Sequence, residues 1–114
     1  MKTPQDLVAE AKQNIREVNV NEARDLLAQG KTFIDVREPA EWDNGTIGNA
    51  IKIPRGLLEF RINEHDTLTD RDQTLVVYCA GGGRSALAAQ TLKSLGYENA
   101  VSLAGGYKAW SESS

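Results

Sequence analysis

The stretch Thr74-Leu-Val-Val-Tyr-Cys79-Ala-Gly-Gly-Gly-Arg84-Ser85 constrains this chain more than any other, because an apolar run gives way abruptly to three successive glycines. Leu75 to Tyr78 are large, apolar or β-branched, and too few for a buried helix, so they predict a buried strand. Downstream, Ser85-Ala-Leu-Ala-Ala-Gln-Thr-Leu-Lys-Ser-Leu95 holds strong helix formers, with Leu87, Leu92 and Leu95 near helical spacing and Gly96 as the stop. The unit is therefore strand, loop, helix. A loop of small residues can turn its backbone N–H groups inward at the positive end of a helix dipole, which stabilises an anion at the loop centre. The same field favours a thiolate at Cys79.

The rest of the chain repeats the strand-helix alternation. Thr3 caps a helix over Gln5 to Arg16, with Pro4 at the first position and Leu7, Val8, Ala11 and Ile15 as its apolar stripe. Residues 1–16 read as an N-terminal helical extension lying on the sheet edge, with a dimer contact or partner surface as the sharper alternative. Glu17 to Val20 predicts a strand, Asn21 to Gly30 a capped helix, Thr32 to Val36 a strand, and Pro39 to about Asp43 a short helical turn. Ala50 to Ile53 and Val101 to Leu103 supply further strands, and Leu57 to Glu64 has an amphipathic helical pattern with Leu58 and Ile62 four apart. Alternation of this kind implies right-handed crossovers and a parallel sheet covered by helices on both faces. Ligands of such sheets bind outside the carboxyl ends of the strands, where Cys79 sits.

Loop size separates two kinds of anion cradle, since the ring of amides has to match what it encloses. Four residues lie between Cys79 and Arg84. Cysteine phosphatases enclose a full phosphate with a loop one residue longer, whereas this shorter loop resembles that of the rhodanese family of sulfurtransferases. The likeness extends to Thr32-Phe-Ile-Asp35-Val-Arg37-Glu-Pro-Ala-Glu-Trp42 with Gly45-Thr46-Ile47 through Arg55, and to Leu103-Ala-Gly-Gly-Tyr-Lys-Ala-Trp110. Three motifs in the family's order are a specific signal. Where many members have Gly-His-Ile, this chain has Gly45-Thr46-Ile47, which removes a histidine as an acid-base candidate there. The resemblance implies an α/β three-layer fold with a central parallel five-stranded sheet, formed by a rhodanese domain over residues 17–114. It further implies a cysteine nucleophile that takes a sulfane sulfur from thiosulfate or a persulfide donor and passes it to cyanide or a thiol. A sulfur-relay protein is a further implied partner; a non-catalytic binding module and phosphatase or arsenate-type chemistry are the competing readings.

Cys79 is assigned as the nucleophile, because a merely structural buried thiol has no need of three glycines that cost backbone entropy. Ala80, Gly81, Gly82 and Gly83 carry no side-chain charge, so their backbone amides are the expected donor-binding groups. Arg84 stands at the positive end of a helix, an unfavourable place unless it faces an anion or an acidic partner, and is expected to hold the loop and the donor's charge. Ser85 reads as the helix cap, or else as a hydroxyl donor to the persulfide. Arg37 and Arg55 are candidate charges for an incoming anionic donor, with Asp35 as structural support that orients Arg37. Glu38 and Glu41 read as surface residues at a helix start, Trp42 and Trp110 as packing anchors, and His65 receives no role.

At 114 residues the chain suffices for one domain with a real core. A formal charge of −3 with sixteen acidic residues and no dense basic stripe argues against nucleic acid. No apolar run approaches the roughly 20 residues that span a bilayer, so no membrane partner is expected. The first residues lack the apolar block of a secretory signal, which makes the cytoplasm the expected compartment. One cysteine forms no internal disulfide, and no Cys/His cluster or dinucleotide glycine pattern calls for a metal or cofactor.

Overall fold

The run Leu75–Tyr78 is buried along its whole length and forms the central strand of a five-stranded sheet. The fold is known from a computed structural model that describes residues 1–113. In chain order the elements are α1 (Pro4–Asn14), β1 (Arg16–Val18), α2 (Val20–Ala28), β2 (Thr32–Asp35), α3 (Pro39–Trp42), β3 (Ile51–Lys52), α4 (Leu58–Arg61), β4 (Leu75–Tyr78), α5 (Gly83–Ser94), β5 (Ala100–Leu103) and α6 (Gly106–Glu112). All strand pairs are parallel, in the order β1-β5-β4-β2-β3. Among the described residues no helix is long and apolar enough to cross a membrane.

Successive strand residues point to opposite faces, and this parity builds two cores. On one side Leu75, Val77 and Cys79 meet Ile34, Val36, Leu58, Ile62, Ala88 and Leu92. On the other Val76 and Tyr78 meet Phe33, Val101, Leu103 and Ala23, with Tyr107 and Trp110 packed against them. Cys79 therefore shares the α5 face, while Asp35, one residue out of phase with Ile34 and Val36, belongs to the α6 face. Helix α1 lies on α5, where Val8 Cγ2 would stand 3.7 Å from a Cβ added to Gly83. Its backbone end is tied down by Lys93, whose ammonium donates to the Asn14 carbonyl at 3.0 Å.

Several boundaries differ from the sequence expectation, each for a local reason. The first helix stops at Asn14, because Ile15 is extended and Arg16 already pairs with Val101. The strand expected at residues 17–20 is Arg16–Val18: Asn19 closes it by capping the next helix, its Oδ1 accepting from Glu22 N at 2.8 Å while Glu22 accepts from Asn19 N at 3.0 Å. Helix α2 thus starts at Val20, ahead of the expected Asn21. The helix expected over 57–64 is broken into a 3₁₀ turn, the four-residue α4 and a second 3₁₀ turn, although Leu58 and Ile62 are both buried as the pattern required. Helix α5 begins at Gly83, with Gly82 as its cap residue at φ 106°. A left-handed backbone there admits glycine with least strain, so Ser85 lies within the first turn and is not the cap.

Candidate active site

Cys79 follows β4 directly and is 1% exposed, with its sulfur turned into the loop. Gly82 N–H points at Sγ across 3.0 Å and Ser85 N–H across 3.4 Å, so two amides of one turn converge on a single atom. Of the first helical N–H groups, Ala86 is satisfied by the Gly82 carbonyl, whereas those of Gly83 and Arg84 meet no acceptor among the described residues. The Gly81 N–H is likewise unengaged. The loop thus offers donors beyond those already on Sγ, as an anion cradle at a helix start requires.

The loop is held from behind by α6. Tyr107 N–H donates to the Cys79 carbonyl at 2.8 Å and Lys108 N–H to the Ala80 carbonyl at 3.1 Å, so the start of α6 satisfies the loop's outward carbonyls. This contact depends on Gly106. Its φ is +62°, and a Cβ there would stand 2.5 Å from the Cys79 carbonyl oxygen and 2.6 Å from that of Ala80. Gly105-Gly106 belongs to one of the three motifs legible in the sequence, but that its second glycine packs against the Cys79 backbone is visible only in the fold.

Ser85 is fully buried and reaches three partners: its Oγ lies 3.2 Å from the Gly82 carbonyl, 2.8 Å from Ser102 Oγ and 3.5 Å from Cys79 Sγ. Ser102, fully buried on β5, was not among the sequence candidates. Its signal was faint, a small polar residue in an otherwise apolar strand.

The basic candidates are distributed differently from expectation. Arg84 does find an acidic partner: its NH1 donates to Glu41 Oε1 at 2.7 Å and NH2 to Oε2 at 3.0 Å, tying α5 to α3 across the loop. Glu41, expected as a plain surface residue, is thereby part of the site's rim. The Arg84 fork draws its carboxyl down to about 2 against the opposing effect of burial, and Glu41 in return raises Arg84, with Cys79 a smaller contributor. Arg37 is not at the rim. It is 3% exposed, chelated by Asp35 with Nε at 3.0 and 3.1 Å and NH2 at 2.8 Å, and its NH2 also donates to the Gly45 carbonyl at 2.6 Å. The guanidinium stacks 4.4 Å from the Tyr107 ring, on the face opposite Cys79, because strand parity sends Asp35 that way. The Asp35 carboxylate raises Arg37 further, so it stays cationic. Arg55 is also drawn off, to Glu59 at 3.1 Å and Thr91 Oγ1 at 3.0 Å. Thr91 lies six residues beyond Ser85 on α5, about 9 Å along the helix, which sets the Arg55 guanidinium alongside the helix and not over the loop.

The sheet and the cysteine loop lie within a stretch that has its counterpart in a known family: residues 19–113 match the model of the rhodanese-like domain. The chain belongs to the rhodanese-like family. The adenylyltransferase/sulfurtransferase MoeZ (assigned as probable) of Mycobacterium tuberculosis is 40% identical over 99 residues, a match of 83% of this chain with 24% of that protein. This rhodanese-like chain thus spans about a quarter of the MoeZ length. The human thiosulfate:glutathione sulfurtransferase is 35% identical over 106 residues, covering 83% of the chain and 92% of the relative. Among solved structures, a Rhodopseudomonas palustris protein of unknown function, described as a possible tyrosine phosphatase, superposes with a TM-score of 0.86 at 31% identity, over 98% of this chain and 91% of its own. Because that superposition takes in nearly the whole rhodanese-like chain, it includes α1 as well as the sheet.

Proposed function

We propose that the protein is a rhodanese-type sulfurtransferase in which Cys79 carries the sulfur. The observation that carries this reading is the pair of amides on Sγ, Gly82 at 3.0 Å and Ser85 at 3.4 Å, together with the unengaged N–H groups of Gly81, Gly83 and Arg84 around them. In the first half-reaction the Cys79 thiolate attacks the outer sulfur of the donor; the S–S bond of the donor breaks and its electron pair leaves with sulfite or with a thiolate. The Cys79 persulfide then holds one sulfur more, its terminal negative charge accepting from the loop amides. In the second half-reaction cyanide or a thiolate attacks that terminal sulfur, and the Cys79 thiolate leaves. No outside reductant or proton donor is required. The loop from Ala80 to Gly83 is one residue shorter than the phosphate-enclosing loop of cysteine phosphatases, which disfavours phosphatase chemistry.

The charge at the mouth favours a persulfide donor over thiosulfate. With Arg84 paired to Glu41, Arg37 to Asp35, and Arg55 to Glu59 and Thr91, none of these three guanidiniums is wholly free for a dianion. Arg84 remains the one basic side chain of the three beside the loop, bracing it. In this reading the domain extends over residues 17–114, with α1 an extension that buttresses α5, and its partners are a protein or small-molecule persulfide donor and a thiol acceptor in a relay.

Intact mass before and after exposure to a glutathione persulfide donor or to thiosulfate, followed by cyanide, tests the assignment. Gain of one sulfur that Cys79→Ser lacks, released by cyanide as thiocyanate, is the expected result. Absence of the adduct with both donors overturns it.

A further inference from the structure

Two buried hydroxyls stand in line behind the nucleophile, and only one of them touches it. Ser102 Oγ is 2.8 Å from Ser85 Oγ, which is 3.5 Å from Cys79 Sγ, and both serines are fully buried. Proton accounting fixes the direction of the chain. Each hydroxyl has one proton to donate. Ser85 has two acceptors within reach, Gly82 O and Ser102 Oγ, and gains a third when Sγ, which as a thiol donates to Ser85 Oγ, becomes a thiolate; Ser102 Oγ meets no acceptor but Ser85 Oγ among the described residues. If Ser85 donated to Ser102, the Ser102 proton would be buried without a partner, a penalty of about 1–3 kcal/mol. Ser102 is thus the donor to Ser85. The Ser85 proton is left to the Gly82 carbonyl or the sulfur, and a negatively charged sulfur is the stronger acceptor of the two.

We propose that Ser102 is a positioning residue of the sulfur-transfer reaction: by donating to Ser85 it holds the Ser85 hydroxyl as a donor toward the charged sulfur of Cys79. Strand parity is what puts it there, since Ala100 and Ser102 share the α5 face of the sheet while Val101 and Leu103 face α6. Without Ser102, Ser85 Oγ loses the hydrogen bond that polarises its own O–H, so the hydroxyl donates less strongly to a charged sulfur and the thiolate loses stabilisation. The charged groups facing the sulfur, Arg84 with its partner Glu41, are untouched by the change.

This inference rests on the Cys79 nucleophile of the proposed function, and its test is separable from sulfur loading. The pH profile of Cys79 alkylation by iodoacetamide is measured in the unloaded wild-type chain and in Ser102→Ala, Ser85→Ala, the double variant and Ser102→Thr. The expected result is a profile displaced to higher pH in Ser102→Ala, so that roughly three- to tenfold less thiolate reacts on its lower limb. Ser102→Thr, which keeps the hydroxyl, follows the wild type, and the double variant matches Ser85→Ala because the effect of Ser102 runs through Ser85. A displacement in Ser102→Ala that persists undiminished on the Ser85→Ala background overturns the proposal. So does a wild-type profile in a Ser102→Ala protein with wild-type circular dichroism. Should Ser102→Ala fail to fold, the Ser102→Thr and Ser85→Ala profiles decide: a Ser102→Thr profile displaced like that of Ser85→Ala overturns it, and a wild-type one supports it. Failure of the chain to take up sulfur would leave every one of these profiles readable.

Discussion

Arg84 and Glu41 lock together through two hydrogen bonds, at 2.7 and 3.0 Å, from helices 43 residues apart in sequence. The pair resolves an electrostatic conflict, because a guanidinium in the first turn of α5 opposes the helix dipole unless an anion lies over it. It also sets the charge at the mouth of the loop. A persulfide approaching Cys79 meets a neutral pair.

The pair should be visible in the pH dependence of stability. Glu41 titrates at about 2 in the folded chain against an ordinary 4.5, so its contribution is present above about 4.5 and is lost as the pH falls from there to about 2. With the two side chains 33% and 38% exposed, water screens the pair and its contribution is about 1 kcal/mol. Urea unfolding of Glu41→Gln is expected to show that deficit at pH 7 and none at pH 2.

Releasing Arg84 should change donor preference. In Glu41→Gln the freed guanidinium can face a dianion, and KM for thiosulfate is expected to fall about fivefold, the ratio that 1 kcal/mol sets. KM for a persulfide donor, which brings one negative charge to the transferred sulfur where thiosulfate brings two, should stay within about twofold of wild type. Steady-state kinetics with both donors decide; a thiosulfate KM unchanged or raised removes the pair as a determinant.

Two glycines of the site make opposite predictions. Gly106→Ala puts a methyl group against two backbone oxygens at a left-handed φ, and is expected to cost about 2–4 kcal/mol and to slow Cys79 alkylation as the loop is pushed away. Gly81→Ala meets nothing within 4 Å at its Cβ and has no positive φ, so its stability should lie within about 0.5 kcal/mol of wild type. Chemical denaturation of the two variants in parallel checks both.

The Asp35–Arg37 pair is a structural element, and breaking one side of it strands a buried charge. Asp35→Ala is expected to destabilise the chain by about 3–5 kcal/mol, and Asp35→Ala with Arg37→Met to recover much of that loss. A double variant no more stable than Asp35→Ala would show that the pair is not what the substitution disturbed.

Tyr78 ends β4 with its hydroxyl accepting from the Ile47 N–H at 2.9 Å, and burial pushes the phenol well above its ordinary value. Tyr78→Phe leaves that buried amide unpaired, and thermal or urea unfolding should show a loss of about 1–3 kcal/mol.

The sequence by itself determined the cysteine loop and the sheet that carries it. Cys79 through Arg84 is one contiguous turn, so its small residues, the apolar strand before it and the helix formers after it could be read together, and the alternation of strands and helices implied a parallel sheet. Only the tertiary structure decided what surrounds the sulfur. Glu41, Ser102 and Gly106 come from three other segments, and their roles exist only once β5, β4 and β2 lie side by side and bring α6 and α3 to the loop. The same is true of the arginines: both Arg37 and Arg55 follow strands whose carboxyl ends meet the site, but residue parity and the nearest carboxylate, Asp35 for one and Glu59 for the other, turned them away. A pattern along the chain records which element a residue belongs to. Which neighbour claims a long charged side chain is settled by distances in space, since a charge-assisted hydrogen bond at 3 Å outweighs a more distant attraction to the loop.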